Sequence, residues 1–390
     1  MNKIPTKKSG FNPNWQIKTL NEVCDKISAG GDKPDDCTTE KTEENQIPIF
    51  SNGIKNKGLC GYTKTPTITK PALTISARGT IGFACVRYEP FFPIVRLICV
   101  IPNEKLVVLE FLCYALQYII PQGEGTSVPQ LTIPNFKKIE IPIPPLDEQK
   151  RIASALSKID AYLENTIKLI EEKERFKRGI AKKLLTCKEG ENIPKARFKG
   201  FEDEWEETQI LEFVNNNIIK IEKGKSITKS KIEEGDIPVI AGGKTPPYYH
   251  NKYNYNFSCI TISASGSAGY VWFHDYKIWA SDCHVIYTDN KRYNIKFLYH
   301  YLKNIQDLIY YLQVGGVQKH VYAKDLIKLN IPNITIEEQE KIGGYLSLLD
   351  EEIDNLKKQK ELIKEMKRGA MQKLLSGEVR LSKNAFNENI

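Results

Sequence analysis

Between residues 147 and 185, apolar residues recur at alternating steps of four and three: Ile152, Leu156, Ile159, Leu163, then Ile170, Ile180 and Leu184. The stretch contains no proline, and the positions between are mostly charged, with both signs mixed. This spacing predicts a helix with a narrow apolar seam, the a and d positions of a heptad. The pattern returns more cleanly at Ile342, Leu346, Leu349, Ile353, Leu356, Ile363, Ala370 and Leu374. Thr166, Lys173, Lys177, Lys360 and Lys367 interrupt the two seams. At ~1.5 Å per residue each helix is about 60 Å long. So narrow a strip needs a partner helix, and the nearest candidate is the other copy. The second helix must then run back antiparallel, which brings the end of the chain toward its beginning.

Outside these helices the pattern shortens. Val-, Ile-, Thr- and Tyr-rich runs broken by Gly, Pro and Asn read as short strands and loops. Residues 109–119 and 297–311 read as helices. Each non-helical half is therefore expected to be a mixed α/β domain.

The two halves are one unit written twice. "IPIPPLDEQKRIASALSKID" (141–160) matches "IPNITIEEQEKIGGYLSLLD" (331–350), which places Glu148-Gln149 on Glu338-Gln339, a shift of 190 residues (338 less 148). The same shift carries Gly10-Phe11 and Trp15 onto Gly200-Phe201 and Trp205, and "IPIFSNG" (47–53) onto "IPVIAGG" (237–243). "LTISARGTIGF" (73–83) resembles "ITISASGSAGY" (260–270) at a shift of 187 (260 less 73). The head "KSGFNPNW" resembles "KGFEDEW" (199–205), and the tail "LLSGEVRLSKN" resembles "LLTCKEGENIPKAR". Head and tail together rebuild what the connector supplies once. The expected fold class is α+β: two pseudo-repeated globular α/β domains separated by two long antiparallel coiled-coil helices. The expected boundaries are 1–146 and 200–336 for the globular domains, 147–186 and 337–377 for the helices, 187–199 for the connector, and 378–390 for a tail near the N-terminus.

Composition narrows the function. The chain has 390 residues and a net charge of +8, and a basic excess of this size favours an acidic partner such as nucleic acid without deciding the matter. "MNKIPTKKSG" has no apolar region of a secretory signal, and no run of ~18 apolar residues predicts a membrane span. The nine cysteines form no C-x-x-C and read as reduced, mostly buried thiols of a cytoplasmic protein. His274, Cys283 and His284 lack the second close pair that a zinc site needs.

Several motifs imitate catalysis. Thr245-Pro246-Pro247-Tyr248 resembles the Pro-Pro-Tyr segment with which DNA amino-methyltransferases hold a flipped base. Thr245 replaces the usual Asn or Asp, a Gly-rich S-adenosylmethionine loop is missing, and each globular part is small for that fold. Gly224-Lys225-Ser226 and Gly243-Lys244-Thr245 end like phosphate loops, but the glycine required five residues earlier is Ile219 or Pro238. Pro34-Asp35 has no acidic-x-Lys within the next thirty or so residues. The chain reads as non-enzymatic.

The duplication, "PIPPLDEQKRI" with its weaker copy "IPNITIEEQEKI", the connector "RFKGFEDEW" and the helix ends "KRGIAKKLL" and "KRGAMQKLL" resemble one family over nearly the whole chain: the specificity subunit of type I restriction–modification systems. The second copy departs from the usual "PPLxEQ", having Asn333-Ile334-Thr335-Ile336 before Glu337-Glu338-Gln339. The resemblance implies that each globular part is a target-recognition domain reading one half of a split, asymmetric sequence in double-stranded DNA. It implies that the coiled coil sets the unread gap and docks two methyltransferase subunits, and that restriction subunits join the full complex. S-adenosylmethionine, ATP and Mg belong on those partners, with no cofactor or metal in this chain.

On that basis the first domain is expected to meet DNA through Lys55, Lys57, Arg78, Thr80, Ser127 and Gln130. The second is expected to use Lys244, Tyr248, Tyr249, His250, Ser265, Gln318, Lys319 and His320. Basic groups suit phosphates and polar groups suit base edges. Arg78, in a Gly-containing turn, is placed to take guanine bidentately; its alternative is a plain surface-turn arginine. Tyr248-Tyr249-His250 reads alternatively as packed under a loop. Ser265 stands where Arg78 does, so the two half-sites should differ. Partner docking is expected at Glu148, Gln149, Arg178, Glu338, Gln339 and Arg368, with helix capping as the alternative for the Glu-Gln pairs. Two other functions stay open: a coiled-coil scaffold without DNA specificity, and a specificity protein serving a fused nuclease–methyltransferase.

Overall fold

The computed structural model describes residues 11–120 and 130–381. The chain divides into two units, residues 1–166 with 359–390 and residues 167–358, so each unit draws on both long helices.

The first unit runs β1 (Gln16–Thr19), α1 (Leu20–Val23), β2 (Cys24–Ala29), β3 (Ile47–Phe50), β4 (Leu59–Thr63), β5 (Ala72–Ile75), β6 (Ala84–Arg87), β7 (Phe92–Pro93), β8 (Ile98–Pro102), α2 (Leu109–Ile119), α3 (Ile133–Lys137) and β9 (Glu140–Ile143), then enters α4 (Leu146–Leu184). Its strands form an antiparallel sheet in the order β2-β8-β5-β6, a three-stranded sheet β4-β3-β7 and the pair β1-β9. The second unit repeats this arrangement. β10 (Glu206–Gln209) and α5 (Ile210–Asn215) lead to β11 (Ile219–Lys223), β12 (Ile237–Ile240), β13 (Tyr248–His250), β14 (Cys259–Ser263), β15 (Val271–His274), β16 (Trp279–Ala280) and β17 (Cys283–Thr288). α6 (Ile295–Asn304), α7 (Gln306–Tyr311), α8 (Ala323–Leu326), β18 (Asn330–Asn333) and α9 (Ile336–Ser376) follow. The sheets are β11-β17-β14-β15, β13-β12-β16 and β10-β18. In both units the middle sheet mixes one antiparallel and one parallel neighbour, as β3 does with β4 and β7.

The central strands β5 and β14 are buried along their whole length, their polar residues Thr74, Thr261 and Ser263 included. In the first unit Leu73, Ile75, Ile98 and Val100 pack with Phe111, Leu112 and Leu116 of α2, Ile152 and Leu156 of α4, and Leu374 and Leu375 of α9. Ile260, Ile262 and Ile286 do the same with Phe297, Leu298 and Leu302, Leu184 and Leu185, and Ile342 and Leu346. Each such side chain contributes about 1.5–3 kcal/mol on burial. The ends of the long helices are thus core elements of the units themselves.

The helix expected over 297–311 is two helices. The break at Ile305 lets Gln306 turn into the sheet, where its amide donates to Gly269 O (2.7 Å) and its oxygen accepts from the Val271 amide (3.1 Å). A continuous helix would carry that side chain past both groups.

Within each unit the segments of α4 and α9 lie antiparallel. In the first unit Asp160 meets Lys367 (2.6 Å) and Tyr162 meets Gln359. In the second, Lys173 pairs with Glu352 (2.6 Å), Glu174 with Lys357 (2.8 Å), and Lys177 with Asp350. Three lysines that interrupt the apolar seams are therefore half-buried partners in cross-helix ion pairs. Thr166 is buried and bonds back to Tyr162 O (2.9 Å) within its own helix.

The helix starts are clasped in matching ways. In the second unit the Arg197 guanidinium grips Glu338 through two bonds (2.7 and 2.8 Å), with Trp205 buried alongside. In the first, Arg380 grips Glu148 (2.9 and 2.8 Å) and Trp15 is buried. There the Asn12 amide donates to Ser376 O (2.7 Å), so residues 12–15 and 376–381 stand where one connector serves the other unit. Gly377 (φ +74°) closes this contact, and a Cβ on it would lie 2.5 Å from Asn12 Cβ.

Candidate nucleic-acid interface

The turn between β5 and β6 has the same backbone bonds as the turn between β14 and β15. The Ser76 amide donates to Phe83 O (3.0 Å), Gly82 to Ser76 O (3.0 Å) and Phe83 to Thr80 O (3.3 Å). In the second unit Ser263 donates to Tyr270 O (3.1 Å), Gly269 to Ser263 O (2.7 Å) and Tyr270 to Ser267 O (3.0 Å). Gly79 (φ +68°) and Gly82 (φ +86°) match Gly266 (φ +64°) and Gly269 (φ +86°), in the left-handed region where glycine carries no side-chain penalty. One backbone shape therefore carries Arg78 and Thr80 in one copy, Ser265 and Ser267 in the other.

Two further segments join each turn. Asn52 accepts from the Ala77 amide (2.8 Å) and donates to Val95 O (2.7 Å), while the Gly53 amide donates to Ser76 Oγ (3.2 Å). In the second unit Gly242 does this without a side chain: its carbonyl accepts from the Ser267 amide (2.6 Å), and a Cβ on it would lie 2.6 Å from Ser265 O. The third segment arrives by one backbone bond, Leu131 to Ala77 O (3.2 Å) or Val321 to Ala264 O (3.1 Å).

The first unit thus gathers Arg78, Thr80 and Gln130. Arg78 is exposed and its Nη2 donates to Gln130 Oε1 (3.0 Å). Thr80 is half-buried, and its hydroxyl has no partner among the described residues. Lys55 and Lys57 are exposed on the same β3–β4 connection as Asn52, and Arg87 donates to the Lys57 carbonyl. Ser127 lies outside the described residues. An open cleft of about 410 Å³ runs past Gln130, Thr132 and Arg96.

In the second unit Ser265 bonds to the Asp282 carboxylate, and Lys244 lies 5.6 Å from the Tyr270 ring. Lys303 lies 4.1 Å from the same ring; burial, with Lys177 and Lys244 nearby, pushes its ammonium down to about 8. Gln318 and Lys319 are exposed on a hairpin closed by paired bonds between Val314 and His320 (2.9 and 2.8 Å), and His320 stacks on Tyr322. Tyr248 and Tyr249 are exposed on the edge strand β13.

Five expected site residues are placed differently. His250 is buried edge-on against Trp279, with Nδ1 accepting from the Glu233 amide (3.1 Å), so it supports the loop from beneath and is removed from the DNA-contacting set. Glu148, Gln149, Glu338 and Gln339 are likewise removed from the docking set. All four are buried, the glutamates in the arginine forks and the glutamines in backbone bonds. Gln149 accepts from the Val108 amide (2.8 Å) and donates to Leu106 O (3.0 Å) and Pro144 O (2.8 Å); Gln339 accepts from Asn294 (2.8 Å) and donates to Ile334 O (2.8 Å). Each bolts its domain onto its helix. Arg178 and Arg368 are exposed.

Sequence reasoning missed Asn52, Asp282, Lys303 and Arg96. Asn52 carried a signal, being the polar member of "SNG" against "AGG". Val95 (φ +53°) and Arg96 (φ +58°) are left-handed non-glycine residues, and strain of this kind, about 1–3 kcal/mol each, concentrates at functional loops. The cysteines also differ from expectation: all nine are free, but only four are buried. Burial pushes those four thiols, Cys99, Cys113, Cys259 and Cys283, up to about 12. No group of three or more His, Cys, Asp or Glu suited to a metal occurs among the described residues, and none of their helices is long and apolar enough to cross a membrane.

Comparison with known proteins follows the same duplication. A sequence model of the type I restriction modification DNA specificity domain matches residues 12–172 and again 202–365. A putative type I restriction enzyme specificity subunit of Methanocaldococcus jannaschii is 30% identical over 309 residues, covering 73% of this chain and 72% of that protein. Two putative type I specificity subunits of Mycoplasma pneumoniae are 37% identical over 153 and 142 residues; the chain spans only 45% and 39% of their lengths. The crystal structure of a type I restriction–modification S subunit from M. genitalium shares the fold, with a TM-score of 0.68 at 21% identity over 96% of this chain and 99% of that one.

Proposed function

Since the chain belongs to the type I restriction–modification DNA specificity family, we propose that it is the non-catalytic subunit that chooses the DNA sequence on which such a complex acts. Each unit reads one half of a bipartite, asymmetric site in double-stranded DNA. The recognition domains are residues 1–146 and 200–336, and the spacer helices, 147–186 and 337–377, set the unread gap. Readers on one face of B-DNA work about one helical turn, ~34 Å, apart or at a multiple of it. Two methyltransferase subunits dock on the exposed helix faces around Arg178 and Arg368, and restriction subunits complete the assembly in the cytoplasm. S-adenosylmethionine, ATP and Mg are held by those partners. The base-flipping chemistry that Thr245-Pro246-Pro247-Tyr248 imitates then belongs to the methyltransferase.

One observation carries this reading: two turns of identical backbone bonding present different side chains, Arg78 and Thr80 against Ser265 and Ser267. A scaffold alone has no use for a fixed backbone with exchanged tips, whereas a reader of two unlike half-sites requires it. Arg78 in this turn suits guanine O6 and N7, worth about 1–3 kcal/mol of discrimination. The test is selection from a random duplex library with the chain co-purified with its methyltransferase subunit. Two unlike motifs at one fixed spacing are expected. A soluble, assembled complex that enriches nothing refutes the reader and leaves the scaffold.

A further inference from the structure

Gly30 and Gly224 occupy equivalent places. Their amides donate to Leu97 O (2.8 Å) and Cys283 O (2.9 Å), at the entry to β8 and β17. Neither has room for a side chain, since a Cβ would lie 2.6 Å from Ile94 N or 2.4 Å from Ser281 O. The backbone therefore leaves its sheet in the same way in both units, but its charge differs. Residues 29–37 hold one lysine, Lys33, against Asp32, Asp35 and Asp36, a net −2. Residues 223–231 hold Lys223, Lys225, Lys229 and Lys231 and no acid, a net +4. All four lysines are exposed. Of the flanking acids, Glu222 accepts from the Tyr255 hydroxyl (3.0 Å) and Glu233 from Asn251 (2.8 Å) and Lys252 (3.0 Å), while Glu234 and Asp236 are exposed beyond the segment.

This basic segment borders the reading loops of its unit. The Lys225 amide donates to Ala280 O (2.9 Å) and the Ile227 amide to Ser281 Oγ (3.3 Å). Ser281 in turn donates to Ile240 O (2.8 Å), just before the 241–245 loop, and neighbouring Asp282 accepts from the Ala264 amide (3.2 Å) and holds the Ser265 hydroxyl. Lys229 Nζ lies 5.8 Å from the Tyr248 ring centroid.

We propose that residues 223–231 are a phosphate-backbone clamp beside the half-site read by the second unit, with Lys223, Lys225, Lys229 and Lys231 neutralising phosphates and no counterpart in the first unit. The proposal rests on the DNA-reading function above. Unmatched lysines on a surface loop read no bases, but each one seated on a phosphate releases counterions and steepens the salt dependence of binding. The salt sensitivity of the complex is therefore concentrated on one flank of its target.

The test uses the full chain co-purified with its methyltransferase subunit and the duplex recovered by selection, with affinity measured across a salt series. Changing all four lysines to glutamine (Lys223→Gln, Lys225→Gln, Lys229→Gln, Lys231→Gln) is expected to lower the slope of log affinity against log salt by about 3–4, close to 0.9 per lysine. The matching four-arginine variant should keep the wild-type slope. Shortening the duplex on one flank only should reproduce the fall with the wild-type chain. A glutamine variant whose slope stays within about one unit of wild type, or an arginine variant that loses the slope equally, overturns the clamp while the reader stands. A wild-type complex that binds no duplex overturns both.

Discussion

Replacing Arg197 by alanine takes the cation from a carboxylate that stays buried. The Arg197 side chain is 12% exposed and that of Glu338 2%, and the two are joined by bonds of 2.7 and 2.8 Å. Arg197 Nη1 also donates to Asp203 O (2.6 Å), while Trp205 Nε1 is a long 3.4 Å from the same carboxylate. Removing one partner of such a pair costs about 3–5 kcal/mol, because the remaining charge is left without compensation. The Trp205 contact is too weak to offset this. Removing both charges in Arg197→Ala with Glu338→Gln leaves a neutral amide within reach of Trp205, so the loss should fall to about 1–2 kcal/mol. The matching fork in the first unit behaves differently: the Arg380 side chain is 56% exposed, so water reaches Glu148 when it leaves, and Arg380→Ala is the milder change. Urea unfolding followed by tryptophan fluorescence measures the loss, and hydrogen exchange over residues 336–346 localises it. With an m-value of about 2–3 kcal/mol/M, the Arg197→Ala midpoint drops by about 1–2 M. A loss below about 1 kcal/mol, or a double variant as unstable as the single one, refutes the buried-charge argument.

Gln149→Ala strands the backbone groups of Val108, Leu106 and Pro144 and should cost about 2–4 kcal/mol, seen as a lowered unfolding midpoint in calorimetry. Gly82→Ala should cost more than Gly79→Ala, about 2 against about 1 kcal/mol in thermal unfolding: both have positive φ, but only at Gly82 would a Cβ meet a neighbour, Ile120 at 2.8 Å. His274 and His300 are held neutral by burial, their pKa lowered to about 3 from 6.5. The unfolded chain takes up these protons first. Stability is thus full above about pH 6.5 and falls as pH drops toward 3, by about 2 kcal/mol per histidine at pH 5. Urea unfolding of the wild type against His300→Asn across pH 7.5 to 5 measures this, and parallel pH profiles would contradict it.

The duplication and the long helices were legible because both are periodic: a heptad seam survives any change in its charged positions, and a repeat announces itself through its shift. The seam lysines looked like defects because their partners, Glu352, Asp350 and Asp160, lie more than 170 residues away in the chain. The β5–β6 and β14–β15 turns were legible through their paired glycines. Asn52 was harder to find, since the turn it holds lies 25 residues on and Val95 is 43 away. Glu148 and Glu338 were misread for the same reason. A charged residue at a helix start reads as surface unless the arginine that covers it is known, and Arg380 follows Glu148 by 232 residues. His250 was misread because it directly follows two exposed tyrosines on β13, while the Glu233 amide and the Trp279 ring that enclose it lie 17 residues before and 29 residues after it.

The placement of side chains also bears on the proposed reading of two half-sites. The β5–β6 turn takes its shape from Gly79, Gly82, its backbone bonds and the Asn52 side chain, and the Arg78 side chain, directed at Gln130, contributes to none of these. The second unit supports the point, because Ser265 occupies the equivalent position and the backbone bonds are unchanged. Substitution at 78 therefore alters the presented surface at little cost in stability, whereas Ser265 also holds the Asp282 carboxylate. Gln149, Gln339 and the two arginine forks have the opposite character: they touch no exposed tip, and their loss opens a unit. The helix-start clasps and the residues proposed to set the sequence are thus separate sets, while Asn52 and Asp282 tie the turns to their own units through side-chain bonds. The bonds described at each turn come from its own unit, so under the proposed function a change at one tip alters one half-site.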